Sequence, residues 1–499
     1  MGLRYETRTP WIEANNHQSA VNILTGALEL PGNDPVPNGV VGSNGFSRGL
    51  YNTTYGLPDF QPRFGFAWSP AVWGGKTVVR GAFTISSYLE GTGVNLRDTQ
   101  NPPYAAPQVE TSNVGTGTAT YTSDTAFSSA TGVNPYVGAT LQTWSGTVQP
   151  AVADQWNLTV QRELNHETSF QLGYIGQRTT HLMVPEWLSQ GDLQANGTVT
   201  YPFIGGQNPT GTVIDGVTTT SPTFGPNGFG NVKNTASVGN MNYNALQAVL
   251  QKRYGHGLEA QVSYTYEKCM TNDDGYYGSW GTTTQAGPSG NYWQNLYNPN
   301  GDYAQCYWDA KNVLSAYAVY ELPVGRGKQF GQSLPTAVNA IVGNWSINPI
   351  FTWRSGFPLS LYGASNSGTG SPENRPDCDA GVTYPRTTIP GVGMLWFSPN
   401  SFSQAPTGSF GNCPAQGPVI GPGYVDADIS LQKNFPVSES MKFQFRADFL
   451  NAFNHPNFAV PNDTCCASFT NGSLSGGTFG VSSATQDARE LQFALKFYW

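Results

Sequence analysis

The alternation of apolar and polar side chains is the feature that most limits what this chain can fold into. Its closing stretch, "ELQFALKFYW", carries large apolar side chains at every second position: Leu491, Phe493, Leu495, Phe497 and Trp499. A period of two places successive side chains on opposite faces of a β-strand, whereas a helix repeats about every 3.6 residues. We therefore predict that the last residues form a strand with one apolar and one polar face.

The same alternation recurs along the whole chain, in about twelve segments of roughly 9–11 residues. Clear examples are "LEAQVSYTYE" from Leu258, "VDADISLQ" from Val425 and "MKFQFRADF" from Met441. A segment of about 9–11 residues is long enough for a tilted strand to cross a membrane. The repeated pattern therefore predicts an all-β fold, an antiparallel transmembrane β-barrel to which this chain contributes about twelve strands.

The connections between these segments alternate between short and long. Tight connections include "LNHE", "YGHG" and "FPVSES", while "PVGRGKQFGQSLPTAVNAIVG" is a longer one that can hold a small helix or lie flat at the membrane interface. Long polar connections fall at about residues 10–60, 88–150, 178–240, 270–308, 355–422 and 454–486. Outer-membrane barrels have short periplasmic turns and long extracellular loops, and the alternation predicts this layout.

The composition agrees with a surface that faces lipid on one side. Only 11% of the residues are charged, against roughly 25% in an average soluble domain. The mean hydropathy is −0.34, and no segment approaches the roughly 18 consecutive apolar residues of a membrane-spanning helix. The net charge is −8 without a basic cluster, so nucleic-acid binding is not expected. Strands of soluble β-sandwiches and β-propellers also alternate apolar and polar side chains. However, the sequence lacks the repeat of about 40–50 residues that is typical of propellers.

Charged side chains on the polar face of these strands are the candidate site residues. We predict that eight of them line a lumen: Glu259, Glu267, Asp426, Asp428, Lys442, Arg446, Asp448 and Lys496. A charge on the lipid face would cost roughly 2–4 kcal/mol in the middle of the membrane, so the lumen is the expected side. The sequence shows no catalytic set, no cofactor motif and no zinc-type ligand spacing, so we predict neither an enzyme nor a cofactor.

The six cysteines lie in loops rich in glycine, asparagine and serine. An even number in such loops favours disulfides in an oxidising compartment, with free buried thiols as the alternative. Four of the cysteines flank parts of two long loops, and we predict one bridge in each: Cys269 with Cys306, and Cys378 with Cys413. The partners of Cys465 and Cys466 are left open.

An ordered series of strand-and-turn stretches resembles one known family. The series includes "QPRFGFAWSP", "DQWNLTVQREL", "NYNALQAVLQKRYGHGLEAQVSYTYEK" and "KNFPVSESMKFQFRADFLNAFNHPNF", and it closes on "DARELQFALKFYW". Together these stretches resemble the C-terminal barrel of TonB-dependent outer-membrane receptors, in particular the Oar-like group. The resemblance runs from the first strand to the last residue and is weakest in the long loops.

This resemblance implies a function, a location and partners. It implies an outer-membrane transporter that takes up a large or scarce nutrient, in contact with membrane lipid, with a plug domain and the TonB complex in the full-length protein. It also implies that the terminal apolar residues, from Leu491 to Trp499, are read by the barrel-assembly machinery. Barrels of the family have about 22 strands and a plugged lumen. Residues 1–499 are therefore expected to be a partial barrel domain, a fragment without its plug and signal peptide.

Other readings of the sequence remain open at this stage. A smaller closed barrel of about twelve strands would have its own pore. A structural or adhesive outer-membrane protein would use its long loops to contact a matrix or other cells. A secreted, soluble, carbohydrate-binding β-protein would stay in solution without detergent.

Overall fold

The alternating segments form the longest strands of the chain, and they lie side by side in one large antiparallel sheet. The computed structural model describes residues 1–53, 59–89, 96–104, 135–144, 147–214, 216–273, 292–438 and 440–499. The strands of this sheet are β1 (Gly2–Tyr5), β2 (Phe60–Trp68), β3 (Thr77–Tyr88), β4 (Ala151–Asn165), β5 (Thr168–Trp187), β6 (Asn231–Gly255), β7 (Leu258–Thr271), β8 (Asn312–Glu321), β9 (Trp345–Arg354), β10 (Tyr424–Pro436), β11 (Lys442–Leu450) and β12 (Glu490–Tyr498).

The order of the strands in the sheet is their order in the chain, from β1 to β12. Two short strands join the same sheet off this path: Ala304–Gln305 pairs with β7, and Thr140–Trp144 runs parallel to β6. Within the described residues, β1 pairs only with β2 and β12 pairs only with β11. The predicted all-β, antiparallel fold is therefore confirmed, while the number of strands in the barrel stays a prediction. Among the described residues, each end of the sheet presents an unpaired edge.

The strand register separates the side chains of this sheet onto two faces. Cross-strand partners share a face, and the face that we call apolar runs through these partners: Phe64–Phe83–Trp156, Leu158–Tyr174–Leu246–Tyr266 and Phe443–Phe497. Its side chains are not covered by protein; for example, Phe493 is 66% exposed and Leu495 is 68% exposed. The opposite face, which we call polar, carries the intervening side chains. An exposed apolar band of this kind is what a lipid-facing strand requires.

Short and long connections alternate along the sheet, as the sequence predicts. Five connections lie at one end of the strands: β2 to β3, β4 to β5, β6 to β7, β8 to β9 and β10 to β11. All of them are short except the one from β8 to β9. The connection between β8 and β9 holds the short helix α1 (Thr336–Val342). None of the helices in the described residues is long and apolar enough to cross a membrane.

The long connections at the other end contain short elements of their own. Their strands are Ala20–Val21, Leu28–Pro31, Gly42–Phe46, Asn52–Thr53, Thr140–Trp144, Thr147–Val148, Asp192–Leu193, Val199–Thr200, Gln207–Asn208, Val213–Ile214, Val217–Thr218, Thr223–Phe224, Ala304–Gln305, Pro358–Leu359, Asp377–Cys378, Thr387–Ile389, Gly393–Leu395, Phe402–Ser403, Val419–Ile420, Ser468–Thr470, Ser473–Ser475 and Val481–Ser482. The long connections also hold 3₁₀ turns at Leu96–Gln100, Pro299–Asp302 and Pro399–Ser401, and the short connection from β2 to β3 holds one at Ala71–Trp73.

Most of the buried apolar side chains lie in these long connections. One cluster includes Leu28, Leu141 and Phe229, and a second includes Leu361 and Phe397. Two barrel strands extend into this region: β5 has 20 residues and β6 has 25, well beyond the segment length of roughly 9–11 that the alternation predicts. The prediction is too short there because these strands continue past the membrane and pack against the folded loops.

Three disulfides hold the loop region. Cys269, near the end of β7, is bonded to Cys306, and Cys378 is bonded to Cys413 within the connection between β9 and β10. These are the two pairs that the positions of the loops predict. The remaining two cysteines, adjacent in the third loop, are bonded to each other.

Candidate functional site

The polar face of the sheet collects the charged side chains that the sequence singles out. By register, all eight lie on this face: Glu259, Glu267, Asp426, Asp428, Lys442, Arg446, Asp448 and Lys496. Six of them are on the adjacent strands β10, β11 and β12, whereas the two glutamates are on β7, three strands away. That this face lines a lumen stays a prediction, but the eight residues do share one surface.

Contacts among these charges bring both signs together on β10 to β12. The guanidinium Nε of Arg446 donates to Oδ1 of Asp448 at 2.7 Å. The ammonium of Lys442 lies 5.0 Å from the centre of the Tyr498 ring, and on β7 Glu267 accepts a hydrogen bond from the Tyr243 hydroxyl at 2.7 Å. A wall of mixed charges and hydrogen-bonding groups suits water or a polar protein surface and not lipid.

An apolar patch interrupts the polar face, and the sequence analysis missed it. Tyr317, Val319 and Ile350 lie on this face by register, and their side chains are 39%, 39% and 57% exposed. Tyr317 and Ile350 border a depression of about 270 Å³. In the stretches "VLSAYAVYEL" and "NWSINPIFTWRS", apolar residues occur at both the odd and the even positions of the strand. This pattern is the signal that could have revealed the patch.

The apolar residues at the end of the chain belong to the apolar face, opposite to the charged side chains. Four of them pair with residues on the apolar face of β11: Leu491, Phe493, Leu495 and Phe497. Trp499 follows the end of β12. The Phe497 and Trp499 rings stack at 5.8 Å between centroids. A role as an assembly signal stays a prediction.

A buried ionic cluster lies in the folded loops, away from the membrane-spanning strands. Arg375 places Nη1 3.3 Å from Oδ1 of Asp302, and both side chains are about nine-tenths buried. The Nε of Arg375 also donates to Oε1 of Gln294, and a second carboxyl group, that of Glu373, is buried beside them. The cluster joins the loop between β7 and β8 to the loop between β9 and β10. Neither pairing could be predicted, because the partners are far apart in sequence.

Burial shifts the protonation of this cluster. Desolvation raises the pKa of Glu373 from 4.5 to about 8. The Asp302 carboxylate adds to this rise, and Arg375 opposes it. Desolvation also raises the pKa of Asp302, although the neighbouring Arg375 opposes this rise. At neutral pH the cluster therefore contains a protonated Glu373 beside an ion pair, so its charges balance without another ion.

The raised pKa of Glu373 predicts a pH dependence of loop stability. The folded loops keep a proton that the unfolded chain releases, so this contribution is complete below about pH 4.5 and declines up to about pH 8. Glu373→Gln should remove that decline, which we expect to be roughly 3–4 kcal/mol between pH 5 and pH 8. Hydrogen-exchange protection of the loop amides, corrected for intrinsic rates, measures it. The control is Glu490→Gln, which changes an exposed glutamate. If loop stability declined equally with pH in the unsubstituted protein and in both variants, the prediction would be contradicted.

Metal binding finds no support in the described residues. Their histidine, cysteine, aspartate and glutamate side chains form no group of three or more that could hold an ion.

Comparison with known proteins identifies the family. The family model described as "Outer membrane beta barrel domain" matches residues 1–492, and no curated protein matches the chain. Solved structures similar to it include the outer-membrane transporter YddB from Escherichia coli, with 8% identity and a TM-score of 0.42, covering 88% of this chain and 40% of that one. The FrpB iron transporter from Neisseria meningitidis (F3-3 variant) has 9% identity and a TM-score of 0.39, covering 88% and 39%.

A third similar structure is the siderophore receptor PiuA from Acinetobacter baumannii, with 9% identity and a TM-score of 0.36, covering 88% of this chain and 36% of that one. The chain thus spans about two fifths of the length of the solved structures named here. The predicted outer-membrane β-barrel fold is confirmed by the family match, while the Oar-like group stays a prediction. The chain belongs to the outer-membrane β-barrel domain family, and it is a protein of the outer membrane.

Proposed function

We propose that the chain is the barrel of a TonB-dependent outer-membrane transporter that takes up a large or scarce nutrient. The observation that carries this proposal is the contrast between the two faces of the sheet. One face is exposed and apolar, and the other gathers charges of both signs on β7 and on β10 to β12. A sheet with lipid on one side and a hydrated lumen or a docked plug on the other needs this division. The proposal assigns the chain no catalytic reaction.

The edges of the sheet support a larger barrel. Within the part of the chain that the structure describes, β1 and β12 each have one edge without a partner. Such unpaired backbone groups would be costly in lipid, because no water is present to bind them. We infer that further strands complete a barrel of about 22 strands, with a plug inside it. Residues 1–499 are then a partial barrel domain, and the plug contacts the charged part of the polar face. The TonB complex acts through the plug.

The last strand carries the proposed assembly signal. Leu491, Phe493, Leu495, Phe497 and Trp499 present a continuous apolar edge at the end of the sheet. β12 keeps one edge without a partner within the described part of the chain. An apolar strand with a free edge can be engaged by the barrel-assembly machinery through backbone pairing.

Growth of a deletion strain under nutrient limitation tests the transport proposal. Cells without the gene should lose growth when one nutrient is limiting, such as a ferric chelate, cobalamin, a glycan or a peptide. Restoring the gene should restore growth, and a protonophore should abolish the restored uptake, because uptake through the TonB complex is energised. Unchanged growth on every limiting nutrient would contradict the proposal.

A structural or adhesive role is the second candidate. It is favoured by the folded loop region, which has its own apolar clusters and disulfides. Loops of this kind present a rigid surface outside the membrane. The same deletion strain would then grow normally but attach poorly to a surface or to other cells.

A further inference from the structure

The short helix α1, in the connection from β8 to β9, has its apolar side chains on the outside. Val338, Ile341 and Val342 are 41%, 70% and 37% exposed, and none of the seven residues of the helix is buried. Their spacing of three and four residues places them on one face of the helix. A helix at the surface of a soluble protein turns its apolar face to the core. In α1 the apolar face is instead left uncovered by protein.

Asn339, near the middle of α1, faces the protein. Its Oδ1 accepts a hydrogen bond from the backbone N–H of Arg326 at 2.8 Å. A Cβ added at Gly325 or at Gly343 would come within 2.8 Å or 2.6 Å of the same oxygen atom, so the amide packs against the backbone of the connection. The polar side of α1 is therefore turned inwards and its apolar side outwards, which is the reverse of the arrangement that water favours.

Two residues from the apolar face of the sheet hold the end of α1. Trp345 on β9 and Lys433 on β10 are cross-strand partners, and Lys433 also pairs with Phe445 on the apolar face of β11. The Trp345 Nε1 donates to the carbonyl oxygen of Ile341 at 2.9 Å, and the Lys433 ammonium donates to that of Gly343 at 2.5 Å. Tryptophan and lysine often lie in this way at the boundary of a membrane. The exposed face of α1 is therefore continuous with the surface that meets lipid.

We propose that α1 binds the phospholipid leaflet on the periplasmic side, where barrels of this class have their short connections. Val338, Ile341 and Val342 lie among the acyl chains at the boundary of that leaflet. The nearby Arg326 is exposed, and no carboxylate in the described part of the chain lies within 4.0 Å of its side chain, so it suits a lipid phosphate. A lipid surface is favoured over a protein partner because α1 is held from the lipid side of the sheet. The inference goes beyond the proposed transport and requires only the outer-membrane location.

Spin labelling of the assembled protein in phospholipid vesicles tests this inference. All six cysteines lie in disulfides, so an introduced cysteine supplies the thiol that takes the label. A nitroxide on Ile341→Cys should collide often with oxygen, which concentrates in lipid, and rarely with a water-soluble nickel complex. The control is His166→Cys, in the short connection from β4 to β5, where the native side chain is 98% exposed. Its nitroxide should collide often with the nickel complex, and equal collision rates at the two positions would overturn the inference.

A charge on the apolar face of α1 gives an independent test. Ile341→Asp should lower the hydrogen-exchange protection of the α1 amides in phospholipid vesicles about tenfold, because the burial of an isoleucine in lipid is lost. Gln332→Asp adds the same charge at an exposed position of the same connection, and it should leave this protection unchanged.

Equal protection of α1 in these two variants would overturn the inference. Protection that appears in outer-membrane fragments but not in vesicles of pure phospholipid would also overturn it, because a protein partner would then cover α1. None of these results depends on whether the protein transports a nutrient.

Discussion

Phe493→Arg is expected to lower the free energy of unfolding of the assembled protein by about 2–4 kcal/mol. Phe493 lies in the middle of β12, opposite Ala447 on the apolar face, and its side chain is 66% exposed. In lipid this exposed side chain lies near the centre of the membrane, where an arginine loses its hydration. Urea titration in phospholipid vesicles, followed by tryptophan fluorescence, measures the change.

The neighbouring residue supplies the control for this prediction. Gln492→Arg introduces the same side chain on the polar face, opposite Asp448. There it finds a carboxylate and a hydrated or protein-lined surface, so the change should stay within about 0.5 kcal/mol. If the two variants were equally destabilised, the assignment of lipid to the apolar face would be wrong.

The strands and their faces could be predicted because the information is local. A period of two tells which side chains share a face, whichever strands become neighbours. A single segment such as "MKFQFRADF" therefore places Lys442, Arg446 and Asp448 on one face, and the register agrees. That this face lines a lumen stays a prediction. The same rule fails for β8 and β9, where Tyr317 and Ile350 are apolar residues on the polar face. In β8 and β9, apolar residues occupy both odd and even positions, so a period of two no longer distinguishes the two faces of the sheet.

The loop region could be predicted only in part because its contacts are not local. Cysteines are recognisable in a sequence, and two of them within one loop suggest a bridge. A buried ion pair has no recognisable sequence pattern. Asp302 and Arg375 belong to different loops, and they meet only when the strands bring those loops together.

Arg375→Ala is expected to destabilise the folded loops by about 3–5 kcal/mol. The substitution leaves the carboxylate of Asp302 buried without its cation, and Oδ2 of that carboxylate already has no hydrogen-bond partner. It also removes the hydrogen bonds that the guanidinium donates to Gln294 and to the Gly301 carbonyl oxygen. The effect should appear as lost hydrogen-exchange protection in both loops, residues 292–311 and 355–423, while the membrane-spanning strands stay protected.

Two further variants separate the unpaired charge from other causes. Arg386→Ala removes an exposed arginine from the same loop, and it should cost no more than about 0.5 kcal/mol, because no ion pair is broken. The double variant Asp302→Asn with Arg375→Met removes both charges, and it should recover most of the stability lost in Arg375→Ala. If the double variant were as unstable as the single one, lost packing and not the stranded carboxylate would explain the effect. If Arg375→Ala behaved like Arg386→Ala, the ion pair would not be what joins the two loops.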